Sequence, residues 1–350
     1  MAPNTQGAAA SIAVKLSSRA ALGTGIAVCA AIAVVAQAAG VAMPLIGAPI
    51  FAILIGLIIA NIPAGAQAIA PLRIKEISGY ALRIGIVLLG ATLSLVDVAR
   101  TGLVSLAVLA VTMSAGLLFA SLVGRWMGVD WRMRCLIGVG TTICGASAIA
   151  AVAPVIRARS EEIAYAIPVI FLFNMLAVVI FPLFGHAIGL SDYGFGMWAG
   201  TAVNDTSAVV AAGFGFSQTA GEYATIVKLT RTTLIIPITL ALGLLMPWLD
   251  PDHPDSGGDL GARVRKAVPT FIGLFIIASL INTLGLIGPL APAVRLLARF
   301  VFVLALAGVG LQCGWRAFAG AGFRPLMLGC GTWAVVALSS LVVQAWTAQL

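Results

Sequence analysis

The sequence predicts an all-α polytopic membrane protein of about eleven transmembrane helices, two of them discontinuous, with internal repeats. Composition is the first observation behind this: 61% of the 350 residues are hydrophobic and 9% are charged, where soluble domains carry about 25% charge. Length is the second. At ~20 residues per span the chain accommodates about eleven spans and leaves no room for a soluble domain. The third is a pair of apolar stretches, Cys135 to Pro154 and Thr201 to Gly213, that are poorly built as continuous helices.

Taken in order, residues 1–19 are small and polar, with Lys15 and Arg19, and read as a disordered cytoplasmic N-terminus. Residues 20–350 then form a single transmembrane transporter domain. Span 1 covers about Ala20 to Gln37. It ends in Ala36-Gln37-Ala38, which resembles a signal-peptidase site, although the apolar run is longer than most signal h-regions. Spans 2, 3 and 4 follow near Leu45–Asn61, Ile77–Leu95 and Gly102–Gly124. After interrupted span 5, span 6 runs from about Ile163 to Ile188, with Pro168 and Pro182 placed to kink it. Beyond interrupted span 7, span 8 covers about Tyr223 to Trp248, and a polar loop occupies 250–266. Spans 9, 10 and 11 lie near Val268–Gly285, Leu296–Cys313 and Pro325–Ala345.

The interruptions are physical. Gly138, Gly140 and Gly145 each cost a helix about 1 kcal/mol relative to Ala, and Thr141 and Thr142 are β-branched. The stretch therefore breaks near Thr142–Gly145 and starts a fresh half-helix. Gly145 to Ala151 aligns without gaps on Asp205 to Ala211, so a second half-helix starts near Asp205. Such paired interruptions point to a transporter's substrate site. A weaker echo pairs Leu82–Gly90 with Ala298–Leu306. Placing the N-terminus inside, with all spans crossing, puts twelve basic residues on the cytoplasmic side and five on the periplasmic side, where the C-terminus lies. The net charge of +8 sits in short loops and is no sign of nucleic acid.

Each new half-helix exposes unpaired backbone N–H groups at its positive end, which suits a small anion. Thr141, Thr142, Cys144, Gly145 and Ser147 flank the first break, and Asn204, Thr206 and Ser207 the second. These are the expected substrate-binding residues, with Arg231 adding charge. Asp205 is the one acidic residue placed well inside a span, and a carboxylate there is a functional candidate by default. It reads as a proton carrier, a partner for Lys228 or Arg231, or an N-cap. Lys228 and Arg231 stand three apart and share a helical face, so Lys228 joins Asp205 as an ion-coupling candidate. Asn174, Asn282 and Gln312 read as interhelical hydrogen-bonders. With His186 and His253 as the two histidines, and no H-E-x-x-H, G-x-S-x-G or P-loop, an enzyme and a metal centre are not expected. No cofactor is expected, and coupling to protons or sodium stays open, as does a homo-oligomer.

The segments TTICGASAIAAVAP, FGMWAGTAVNDTSAVVAAG and IVKLTRTTLIIP, with LRIGIVLLG before them, resemble the YeiH-type family of bacterial inner-membrane proteins labelled sulfate exporters. The resemblance covers roughly Leu45 to the C-terminus. It implies a fold similar to the bile-acid symporters and cation/proton antiporters, in which two discontinuous helices cross at mid-membrane, and it implies an anionic substrate. One departure stands out: the family commonly has His-Asp or His-Glu where this chain has Asn204-Asp205, and often Gln where it has Ala208. A relay through that imidazole is therefore not available here. The expected function is secondary active transport of a small anion by alternating access. A cation/proton antiporter using Asp205 and a non-transporting membrane receptor or accessory subunit are the alternatives.

Overall fold

A computed structural model of the chain describes residues 5–43, 47–249, 269–313, 322–347 and 349, without the side chains of 5–19 and 247–249. The polar loop expected over 250–266 lies outside the described residues. Of the N-terminal segment 1–19 expected to be disordered, residues 1–4 and the side chains of 5–19 also lie outside the described residues, and the backbone is helical from Thr5.

The described residues are all helical, with no strand. In chain order the helices are α1 (Thr5–Ala42), α2 (Gly47–Asn61), α3 (Pro63–Ile69), α4 (Ile74–Gly90), α5 (Leu95–Trp126), α6 (Trp131–Thr142), α7 (Ala146–Val152) and α8 (Ser160–Ala187). Then come α9 (Asp192–Ala202), α10 (Thr206–Phe216), α11 (Gln218–Thr233), α12 (Ile235–Leu249), α13 (Thr270–Thr283), α14 (Ala291–Leu311) and α15 (Phe323–Trp346). Among the described residues six stretches are long and apolar enough to cross a membrane, or seven with the pair α2 and α3, which bends by 101°. Polar side chains set several helix starts by accepting from backbone N–H groups: Ser94 from Val96, Asp130 from Arg132, Ser191 from Gly194 and Ser217 from Ala220.

The chain divides into two compact units, residues 1–85 with 296–315, and residues 86–295 with 316–350. In the first, glycines bring α2 and α14 into backbone contact. A Cβ on Gly56 would lie 2.6 Å from the Ala307 carbonyl oxygen, and one on Gly310 would lie 2.3 Å from that of Ile53. Small residues permit such close approach. Asn61 donates to the Cys313 carbonyl at 2.8 Å, and Gln312 bridges helices as its sequence position suggested, donating to Ser78 Oγ at 2.8 Å.

The second unit holds both interruptions, and here the structure corrects the expectation of crossing helices. Arg132, at the start of α6, donates from Nε to the carbonyl of Ile156, beyond the end of α7, at 3.2 Å. Were α6 and α7 to run on in one direction, those residues would stand about 35 Å apart at 1.5 Å per residue. The segment doubles back, and Gly140 of α6 lies beside Ile149 of α7. The α9–α10 segment does the same. Ser217 donates to Asp192 Oδ1 at 2.6 Å, and the rings of Phe195 and Phe216 stack at 4.0 Å. Between them runs α8, 28 residues and unbroken across Pro168 and Pro182, about 42 Å long. The first segment returns to the start of α8 and the second departs from its end, so the two approach each other from opposite ends of that helix.

Candidate functional site

The tips of the two doubled-back segments meet halfway along α8. Ile143, Cys144 and Gly145 form the first tip, and Val203, Asn204 and Asp205 the second. A Cβ on Gly145 would sit 3.6 Å from the Asp205 Cβ and 3.6 Å from Ile170 of α8. Gly145 has φ 68° and ψ −135°, a conformation that residues with a Cβ rarely adopt. Its glycine is thus dictated by the backbone of the break. The second tip is pinned from α8 by Asn174, whose side-chain oxygen accepts both the Asn204 and the Asp205 backbone N–H at 3.0 Å.

Two fully buried cations lie at these tips. Lys228 and Arg231, on one face of α11, are both 0% exposed. Lys228 Nζ donates to the carbonyls of Ile143 at 2.8 Å and Val203 at 3.2 Å, and to that of Asn204. Arg231 donates from Nε to the Thr142 carbonyl at 2.6 Å, from Nη1 to those of Val203 at 3.0 Å and Gly200 at 3.4 Å, and from Nη2 to that of Thr141. These carbonyls end α6 and α9, where a helix has acceptors without intrahelical donors and the negative end of its dipole. Burying an ion costs several kcal/mol unless its hydrogen bonds and field are met. Here helix C-termini meet both, and neither cation forms a salt bridge with a carboxylate among the described residues. Asp205, one partner foreseen for Arg231, is not among its hydrogen-bond partners, which are backbone carbonyls.

Asp205 is the N-cap of α10. Its Oδ2 accepts the Ser207 N–H at 2.9 Å and also the Ser207 hydroxyl. At the first tip the Thr142 hydroxyl donates to its own helix at Gly138 (2.8 Å), and the Ser147 hydroxyl turns back to the Cys144 carbonyl at 2.8 Å. Ala146 and Ser147 are exposed, while Asp205 and Thr206 are half-buried. The remaining predicted residues are distinctive. Asn204, 0% exposed, has neither amide atom hydrogen-bonded, and the Thr141 hydroxyl, 1% exposed, is likewise without a partner. Buried polar groups are nearly always paired, so these atoms keep hydrogen-bonding capacity at the tips. The structure thus brings together every residue singled out in the two breaks and on α11. The residue whose role at the tips the sequence did not reveal is Asn174, and its signal was an amide in the middle of an apolar 28-residue helix.

All of this defines a polytopic membrane protein with a polar, charged cluster held at the meeting point of two broken helical segments. The chain belongs to the family described as conserved hypothetical protein 698, the YeiH/UPF0324 family, whose profile matches residues 24–329. It is 40% identical over 330 residues to a UPF0324 membrane protein of Streptococcus agalactiae, covering 92% of this chain and 96% of that one. It is 41% identical to a UPF0324 membrane protein of Streptococcus mutans at the same coverage. A UPF0324 membrane protein of Clostridium tetani is 36% identical over 315 residues, 87% of this chain and 91% of that one. No solved structure matches the chain.

Proposed function

We propose that the chain is a secondary active transporter of a small anion, such as sulfate, a sulfonate or a carboxylate, with its site at the tips near 142–148 and 204–208. The observation that carries this reading is the charge at the tips. Lys228 and Arg231 are fully buried on backbone carbonyls, which bring dipoles and no net charge. Asp205 is the one carboxylate within the tips, so the formal charge there is positive and suits a mobile anion. The exposed Ala146 and Ser147 at the start of α7 add N–H groups without intrahelical partners. Thr141 and Asn204 contribute a hydroxyl and an amide with hydrogen-bonding capacity in hand.

Doubled-back segments also fit a membrane better than crossing ones. Let α1, α2, α4, α5, α8, α11 with α12, α13, α14 and α15 cross, and let α6/α7 and α9/α10 be re-entrant from opposite faces. Eleven embedded segments then make nine crossings, the N-terminus stays cytoplasmic and the C-terminus stays periplasmic. Only Arg157 and Arg159 change sides. The basic residues of loops and termini now divide fourteen inside to three outside, where two crossings in place of two re-entrant segments give twelve to five. Non-helical backbone at mid-depth is tolerated only where protein or a cavity surrounds it, and tips buried against α8 and α11 meet that condition. Re-entrant segments from both faces expose one tip cluster to either side in turn, which is what alternating access requires.

The test is uptake by purified protein in liposomes, with labelled sulfate, taurine-like sulfonates and small carboxylates, under imposed pH and sodium gradients. Saturable, protein-dependent uptake of at least one of these anions is expected. Cation flux against protons with no anion flux would favour antiport and contradict the proposal.

A further inference from the structure

The ammonium of Lys228 has the surroundings of a bound metal cation. Its three hydrogen bonds all go to backbone carbonyl oxygens, from Ile143 at one tip and Val203 and Asn204 at the other. Carbonyls from unwound backbone and the C-terminal ends of half-helices are what coordinate a small monovalent cation in membranes. The group is 0% exposed and has no carboxylate partner among the described residues, so the ends of α6 and α9 are what hold its charge. Asn204 adds an unpaired side-chain oxygen on the same residue that supplies one carbonyl.

We propose that Ile143, Val203 and Asn204 form a monovalent-cation site at the junction of the two tips, and that Lys228 fills it permanently in place of a dissociable sodium ion. The two tips then stay joined without a metal. If the carrier reading of the previous section holds, its transport is sodium-independent, because the place a coupling sodium would take is covalently occupied. Shortening the side chain frees the site: Lys228→Ala removes the three methylenes and the ammonium beyond Cβ, which n-propylammonium replaces atom for atom.

The experiment is thermal melting of purified wild type, K228A and K228M in sodium, n-propylammonium and choline chlorides at equal ionic strength. The wild type is expected to melt alike in all three. K228A is expected to melt lower in choline and to recover, saturably, in sodium or n-propylammonium. K228M, which fills the space without charge, is expected to recover in neither. A K228A deficit identical in all three salts overturns the proposal, and so does a sodium-specific rise in the wild type's melting temperature. If K228A yields no folded protein, the wild-type series decides: indifference to sodium supports the assignment and sodium-specific stabilisation overturns it. Melting involves no flux, so this outcome is separate from success or failure of the uptake assay.

Discussion

Arg231→Met is expected to leave little stable protein, although it exchanges one long side chain for another of apolar character. The guanidinium joins the end of α6, through Thr141 and Thr142, to the end of α9, through Gly200 and Val203. Removing it strands the carbonyls of Thr141, Thr142 and Gly200 inside the protein, Val203 keeping its bond from Lys228. It also leaves Lys228, among the described residues, as the side chain that hydrogen-bonds to both tips. Breaking a buried charged arrangement of this kind typically costs on the order of 3–5 kcal/mol, a large part of the stability of an ordinary domain. The change is read as loss of monodisperse protein and a lower melting temperature. Arg299→Met, at an exposed position of α14, is the matched control and should melt like the wild type. Equal melting of the two variants would show that Arg231 does not hold the tips together.

Asp205→Asn is expected to have the opposite profile, with the fold retained and transport lost. Asn is as good an N-cap as Asp, so the Ser207 N–H that Asp205 now satisfies at 2.9 Å keeps an acceptor. Asn174 holds the Asp205 backbone N–H whatever the side chain. What changes is the charge, from one carboxylate against two cations to none. Gradient-driven anion uptake should fall at least about tenfold, the loss carried by ~1.4 kcal/mol of transition-state stabilisation, while equilibrium binding of the labelled anion persists. Uptake at the wild-type rate would remove Asp205 from coupling and leave it a structural cap.

The breaks themselves were legible because their causes are local. Three glycines and four β-branched residues within Gly138–Gly145 weaken a helix, and α6 ends within that stretch, at Thr142. The gapless match of Gly145 with Asp205 located two N-caps that face each other in the structure. The direction taken after each break was not legible. A 12-residue helix followed by a 7-residue one has the same composition whether it runs on or turns back. Return contacts, among them Arg132 with Ile156 and Asp192 with Ser217, distinguish the two. A hint lay in Arg157 and Arg159, which the crossing arrangement had to leave on the periplasmic side. The partners of Lys228 and Arg231 were hidden for a related reason. Their three-residue spacing placed them on one face, but backbone carbonyls are present in every residue and leave no signature in the sequence.

In the proposed transporter, two segments enter from opposite faces, double back and meet at their tips. Single cysteines at Arg125, Ser160, Gly189 and Thr219, in a background with the five natural cysteines replaced, report this arrangement directly when intact cells are treated with a membrane-impermeant maleimide. Positions 125 and 160 flank the first segment and should both react only after the cells are opened. Positions 189 and 219 flank the second and should both react from outside. Labelling of 125 and 160 from opposite faces would mean that the first segment crosses, and the tip-to-tip arrangement would fail with it.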